Sequence, residues 1–267
     1  MLNKSLRTGA AALLLVIAPF VAAQSADEIM QKNDKRYTGD TQKSTSVLTL
    51  IDKKGNQRVR DLLLYSIDKK DVKKSLFFFQ SPAEVKGTGY LSFDWDDPNK
   101  EDDSWLYLPA LQKITRVAAS DESGSFMGSD FSYADINGTD YEDYHYTIVK
   151  DSDPVDGADC WVIHSTPKDD SIVEKTGYLD ATNWIRKDNY MQVKSIINVK
   201  KGKRIKYFQA RDIKQIQGIW TALSLQMVTT QNGKKEHASV FTITDVKYND
   251  ALDDSLFDTQ TLQRGLQ

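Results

Sequence analysis

From Ser44 onward, apolar residues recur with a period near two. The run STSVLTLID, the turn KKGN and the run QRVRDLLLYSID together read as a β-hairpin, with alternating or apolar stretches around a glycine-containing turn. SLFFFQ, KGTGYLSFDW, SWLYLPA and LQKITRV follow as further strands. Gly55, Pro98 and Pro109 fall at the breaks, where turns need particular backbone angles. The second half repeats the manner without repeating the sequence. YEDYHYTIVKD, DCWVIHSTP, the long stretch from Glu174 to Gly202, KRIKYFQARDIKQI, WTALSLQMVTT and HASVFTITDVKYN each read as a strand or hairpin. Consecutive short strands without intervening helical patterns predict an antiparallel sheet and argue against a βαβ arrangement.

Helical signals are few. In SADEIMQKNDKRYTG, Ser25 and Glu28 form a capping-box pattern, in which each side chain satisfies a free backbone amide at a helix start. Ile29, Met30 and Tyr37 supply a modest apolar face, and Gly39 is placed to end the helix. The tail DDSLFDTQTLQRGLQ reads as a loop or short helix closing against the sheet. The segment SFMGSDFSYADI, Ser125 to Ile136, carries the other helical turn. Gly128 suits a sharp bend, and Ser129 or Asp130 is placed to cap a turn running toward Ala134. That turn would direct Phe126, Met127, Phe131 and Tyr133 at the sheet and leave Asp130 and Asp135 as polar anchors.

Most strands alternate, but SLFFFQ and DLLLYSI are apolar at successive positions, so something packs on both of their faces. Two small helices cannot cover about ten strands. The cover is therefore the sheet curling on itself, or a ligand. With neither linker nor internal repeat, residues 24–267 read as one domain.

The first residues stand apart. MLNKSLRTGAAALLLVIAPFVAAQSA has a basic start, an apolar run and small residues before Gln24, the layout of a secretory signal peptide over residues 1–23. The apolar part is short for a bilayer span, which points to an exported chain in the periplasm, soluble after cleavage. Cys160 is the single cysteine, so no intrachain disulfide staples the fold, and its alternating surroundings predict a buried structural thiol. The 35 basic and 38 acidic side chains are interspersed along the chain, which leaves no basic footprint for nucleic acid.

A catalytic reading fares poorly. His145, His164 and His237 lie on separate predicted strands, and HExxH, CxxC and phosphate-loop patterns do not occur. The serine-rich ASDESGSFMGSDFS lacks the G-x-S-x-G spacing and the strand–helix context of a nucleophile elbow. DDPNKEDD and DSDPVDGAD gather carboxylates without the ligand order of a calcium loop, and their Pro and Gly mark turns.

What remains is apolar surface in excess of helical cover. Phe77, Phe79, Leu91, Phe93, Leu106, Leu108, Phe126, Met127, Phe131 and Tyr133 are the candidate lining of an apolar cavity and its lid. Burying a dozen methylenes of an acyl chain at about 0.8 kcal/mol each yields about 10 kcal/mol before association costs, so useful affinity needs no ionic or catalytic group.

The runs FQSPAEVKGTGYLSFDW, DDSWLYLPALQKITRV and SGSFMGSDFSYADI resemble the bacterial outer-membrane lipoprotein-sorting proteins, the group named for its similarity to the lipoprotein carrier LolA and its receptor LolB. The shared stretch is roughly Phe77 to Ile136, with GSDFSYAD as its most specific part. The resemblance implies a mainly β fold: an incomplete antiparallel β-barrel, a curved sheet with short helices forming a lid over an apolar cavity. It implies a lipid or acylated-protein cargo, an RND-type membrane exporter as partner, and no catalytic residues, metal or cofactor. The other function in view is a non-carrier accessory subunit that docks onto such an exporter or the envelope assembly machinery.

Overall fold

The computed structural model describes residues 24–97 and 100–266. The expected signal peptide over residues 1–23 and the turn residue Pro98 lie outside them. Helix α1 (Ala26–Asp34) leads into strands β1 (Thr41–Asp52), β2 (Gln57–Lys69), β3 (Val72–Ser81), β4 (Gly89–Trp95), β5 (Asp103–Leu108) and β6 (Lys113–Arg116). A crossing segment holding the short helix α2 (Tyr133–Asn137) precedes β7 (Tyr144–Lys150) and β8 (Cys160–Pro167). Helix α3 (Asp170–Thr176) then leads to β9 (Tyr178–Arg186), β10 (Gln192–Val199), β11 (Arg204–Ile216), β12 (Ile219–Gln231), β13 (Lys234–Tyr248) and the terminal helix α4 (Thr259–Arg264).

All thirteen strands belong to one antiparallel sheet in the order β6-β5-β4-β3-β2-β1-β13-β12-β11-β10-β9-β8-β7. Every neighbouring pair is a sequence-adjacent hairpin except β1 with β13, which zips two meanders together through pairs such as Leu48 with Phe241. The sheet is curved and does not close, since β6 and β7 remain edges. This is the expected incomplete barrel. Curling follows from packing: Phe77 on β3 and Ile197 on β10 share one hydrophobic cluster although their strands are six positions apart in the sheet. In a flat sheet that separation would be about 29 Å, at ~4.8 Å per strand.

Strand register sorts the apolar residues onto two faces. Phe77 pairs with Tyr90, and both point inward with Leu48, Leu50, Leu62 and Phe79. Leu76 pairs with Leu91, and both point outward with Phe78, under Phe257 and Leu262 of the C-terminal tail. The double-sided apolar character of SLFFFQ is thus explained: the concave core covers one face and α4 the other. Gly89 permits this approach, because a Cβ there would lie 2.7 Å from Leu262 Cδ2 and 3.0 Å from Phe78 Cε1.

The capping box of α1 forms as the sequence predicts, with Glu28 N–H donating to Ser25 Oγ and Ser25 N–H to Glu28 Oε2, each at 3.1 Å. The helix ends at Lys35 and not at Gly39, and it packs Ile29 and Met30 against Ile163 and Ile185. Helix α3 corrects the expectation that no helix interrupts the strands. Its N-cap Asp169 accepts from the Ser171 and Ile172 amides and Gly177 closes it at φ +77°, local signals present in KDDSIVEKTG. Its seven residues are too few to show a helical period.

Candidate functional site

The segment between β6 and β7 must span the open side of the sheet, and it does so across the concave face. Gly128 (φ +73°) and Met127 (φ +51°) form its bend. Phe126 N–H donates to the Phe131 carbonyl at 2.7 Å, closing a small loop. Helix α2 is then capped by Ser132, whose hydroxyl accepts from Asp135 N–H at 3.1 Å while Asp135 Oδ2 accepts from Ser132 N–H at 2.8 Å. The cap is Ser132, not the expected Ser129 or Asp130, because those two residues are engaged elsewhere. Ser129 Oγ donates to the Phe126 carbonyl at 2.7 Å.

Asp130 reaches past the loop to the floor. Its Oδ1 accepts from Thr229 Oγ1 at 2.5 Å, and its Oδ2 bonds Ser239 Oγ and His237 Nδ1, each at 2.7 Å. Its amide donates to Ser239 Oγ at 2.9 Å. One buried side chain therefore ties the lid to both β12 and β13. Asp135 makes the second anchor: Tyr178 OH donates to its two oxygens at 2.9 and 2.7 Å, and Lys206 Nζ lies 3.6 Å away. Arg60 of β2 also donates to the Met127 carbonyl. Both polar anchors foreseen from the sequence are in use.

The apolar side of the lid completes the core. The Phe126 ring lies 5.7 Å from Phe77, 5.4 Å from Tyr90 and 5.6 Å from Tyr133 in edge-on contacts, and 6.1 Å from Phe79. Such geometry suits the ring quadrupoles. Tyr90 is fully buried and donates to Asn137 Oδ1 at 2.6 Å. Burial holds the Glu122 carboxyl above its ordinary range, and its Oε1 accepts from Asn137 Nδ2 at 3.1 Å.

Beside this aromatic cluster the concave face of the sheet borders a half-open cavity of about 500 Å³. Its apolar wall comprises Leu64 and Phe77 from one meander and Phe208, Leu225, Met227 and Phe241 from the other. Phe131, Ala134 and Ile136 of the lid and Met30 of α1 also line it. A hydrogen-bonding strip runs along a third side. Ser195 Oγ donates to Asn183 Oδ1 at 2.7 Å, and Asn183 Nδ2 donates to Ser165 Oγ at 3.0 Å. The volume lies in the range of small-molecule sites.

Of the ten residues singled out in the sequence, Phe77 and Phe131 line the cavity. Phe79 and Phe126 are buried in the adjoining core, with Leu106, Met127 and Tyr133 packed against it. Leu91 and Phe93 lie on the outer face with the C-terminal helix, because register sets Leu91 opposite Leu76 and Phe93 opposite Lys74, while Phe77 faces Tyr90. Leu108, half-buried at the end of β5, belongs to neither cluster. The wall from β11 to β13 was missed, although period-two alternation in KYFQA, LSLQM and SVFTI carries it.

At the seam beside β7, carboxyl groups crowd. Burial, together with Asp102 and Asp140, pushes the Asp94 carboxyl up to about 7, against the opposing pull of Lys73 and Lys175. Burial and Asp143 push Asp140 up to about 6. Lys175 of α3 bridges to Asp102 at 3.0 Å and ties the two ends of the sheet. Among the described residues no group of His, Cys, Asp and Glu is arranged to hold a metal ion. His237 bonds Asp130, and His164 Nδ1 lies 3.4 Å from Thr182 Oγ1. Nor is any helix of the described residues long and apolar enough to cross a membrane.

Residues 71–264 match a family model described as "uncharacterized protein". No curated protein matches the sequence. Among solved structures, the chain is similar to one described as an outer membrane lipoprotein-sorting protein domain from Vibrio parahaemolyticus, at 27% identity and a TM-score of 0.79, covering 90% of this chain and 98% of that one. It is equally similar to a DUF1329 family protein from Desulfovibrio piger, at 28% identity and a TM-score of 0.79, covering 89% and 97%. A LolA superfamily protein from Nitrosomonas europaea shares the fold at 20% identity, with a TM-score of 0.65 over 89% of this chain and 99% of that one.

Proposed function

The chain belongs to the LolA-like family of outer-membrane lipoprotein-sorting proteins, and from that premise we propose that it is a periplasmic carrier that shelters the acyl chain of a lipid or lipoprotein. The observation that carries this reading is the lidded cavity of about 500 Å³, walled by Leu64, Phe77, Phe208, Leu225, Met227 and Phe241. Apolar burial supplies the affinity, so the protein works by reversible binding without covalent chemistry. The lid is held by Phe126 in the core and by polar anchors at Asp130 and Asp135, and weakening the anchors would favour its lifting while the sheet stays paired. An RND-type membrane exporter enters the proposal as the partner that exchanges cargo with the carrier.

Native mass spectrometry of protein purified from its own cell envelope tests the reading, with co-purified lipid as the expected result. Phe131 is buried and lines the cavity from the lid. Phe131→Asp should lose at least nine-tenths of that lipid and keep a β-rich far-UV spectrum, since a carboxylate cannot rest on the apolar wall. Retention of lipid by that variant would mean that the segment is a plug and not a lid. A wild-type protein that neither carries nor takes up any lipid would end the carrier proposal.

A further inference from the structure

We infer that the cavity is built for an uncharged amphiphile, whose hydrogen-bonding group seats on the strip Ser165–Asn183–Ser195; this rests on the carrier reading and names its ligand class.

The strip is set by register. Asn183 of β9 pairs with Ser195 of β10, and Ser165 of β8 pairs with Ala181. All three side chains belong to buried residues that line the cavity. An acyl pocket needs no polar groups on its wall, and burying them has a cost unless they are bonded. They are bonded, but incompletely. Ser195 Oγ donates to Asn183 Oδ1, Asn183 Nδ2 to Ser165 Oγ, and Ser165 Oγ to the Ala181 carbonyl at 3.3 Å. An Asn amide has two N–H donors and two acceptor lone pairs. Asn183 uses one donor and one lone pair among the described residues, so the strip can still give and receive hydrogen bonds.

The charges around the cavity decide what those bonds receive. No lysine, arginine or histidine lines it among the described residues, and its two charged lining residues are Asp135 and Asp180. Lys206 stands nearby, but its ammonium donates to Tyr178 OH at 2.8 Å and faces Asp135. A fatty-acid carboxylate or a lipid phosphate would thus lose its water with no unpaired cation to receive it, because the one ammonium close by is already matched by Asp135. A hydroxyl, ester or amide group loses little and finds both donors and acceptors. The apolar wall opposite takes the chain.

Three oleoyl compounds separate the possibilities: monooleoylglycerol, oleate and lysophosphatidylglycerol. Each would displace the apolar dye N-phenyl-1-naphthylamine from the delipidated, otherwise complete protein at pH 8. The expected result is a Kd for monooleoylglycerol at least tenfold below both anions. Asn183→Leu should erase that preference without weakening the dye, and Ser195→Ala, a smaller change, should reduce it about threefold. An anion bound as tightly as the glycerol ester would overturn the inference and leave the carrier reading standing. So would a preference that survives both substitutions. If neither the dye nor any lipid bound, the carrier reading would fall and this inference with it.

Discussion

Replacing Asp130 with alanine removes the buried side chain that ties the lid to the sheet. The carboxylate accepts from Thr229, bonds His237 and accepts from Ser239 at 2.5 to 2.7 Å, and residues Thr229 and Ser239 are buried at 8% and 0% exposure. Hydrogen bonds to a charged acceptor contribute about 1.5–3 kcal/mol each, a gross value of roughly 5–9 kcal/mol. The desolvation of the carboxylate offsets several kcal/mol of this. Deleting one partner also leaves buried hydroxyls without their acceptor, so the net loss comes to about 3–5 kcal/mol. That loss need not reach the whole molecule. Once the lid lifts, water satisfies Thr229 and Ser239, and the β12–β13 ladder stays intact. Hydrogen exchange followed by mass spectrometry should therefore show lid amides over residues 126–137 exchanging about 10²–10⁴-fold faster, at about 1.4 kcal/mol per tenfold, while β12 and β13 stay protected. Asp130→Asn keeps one acceptor oxygen and should lose only about 1–2 kcal/mol. Unchanged lid protection in Asp130→Ala, with a loss below about 1 kcal/mol on urea unfolding, would refute the anchoring argument.

Two further outcomes follow from titratable groups whose pKa is raised. Asp94, half-buried, binds its proton more tightly in the folded chain, at about 7 against an ordinary 3.8. Its contribution to stability is complete below about pH 4 and is lost as pH rises through 7. Asp94→Asn should flatten that part of the urea-midpoint profile and raise stability at pH 8 by about 1–2 kcal/mol; a profile parallel to wild type would contradict the assignment. Cys160 is fully buried, burial pushes its thiol up, and its Sγ donates to the Ala158 carbonyl at 3.4 Å. It should react with Ellman's reagent at least 100-fold more slowly in native protein than in denaturant, and rapid native labelling would show that the loop over residues 151–159 opens.

The one-dimensional pattern determined the elements. Period-two alternation and glycine turns are local properties of the backbone, so the strands and the capping box of α1 were legible residue by residue. The short α3 was not, because seven residues hold too little periodicity. Face assignment needed the tertiary structure, since side chains alternate and one step in register exchanges inside for outside. Phe77 and Leu91 look alike in sequence, yet pairing of Leu76 with Leu91 sends Leu91 under the C-terminal helix while Phe77 lines the cavity. The anchors divide in the same way. Asp130 and Asp135 stand out in SFMGSDFSYADI, but His237 and Ser239 are more than a hundred residues away along the chain. Only the curling that sets β13 beneath the lid made them partners, because a hydrogen bond depends on distance in space and not on separation along the chain.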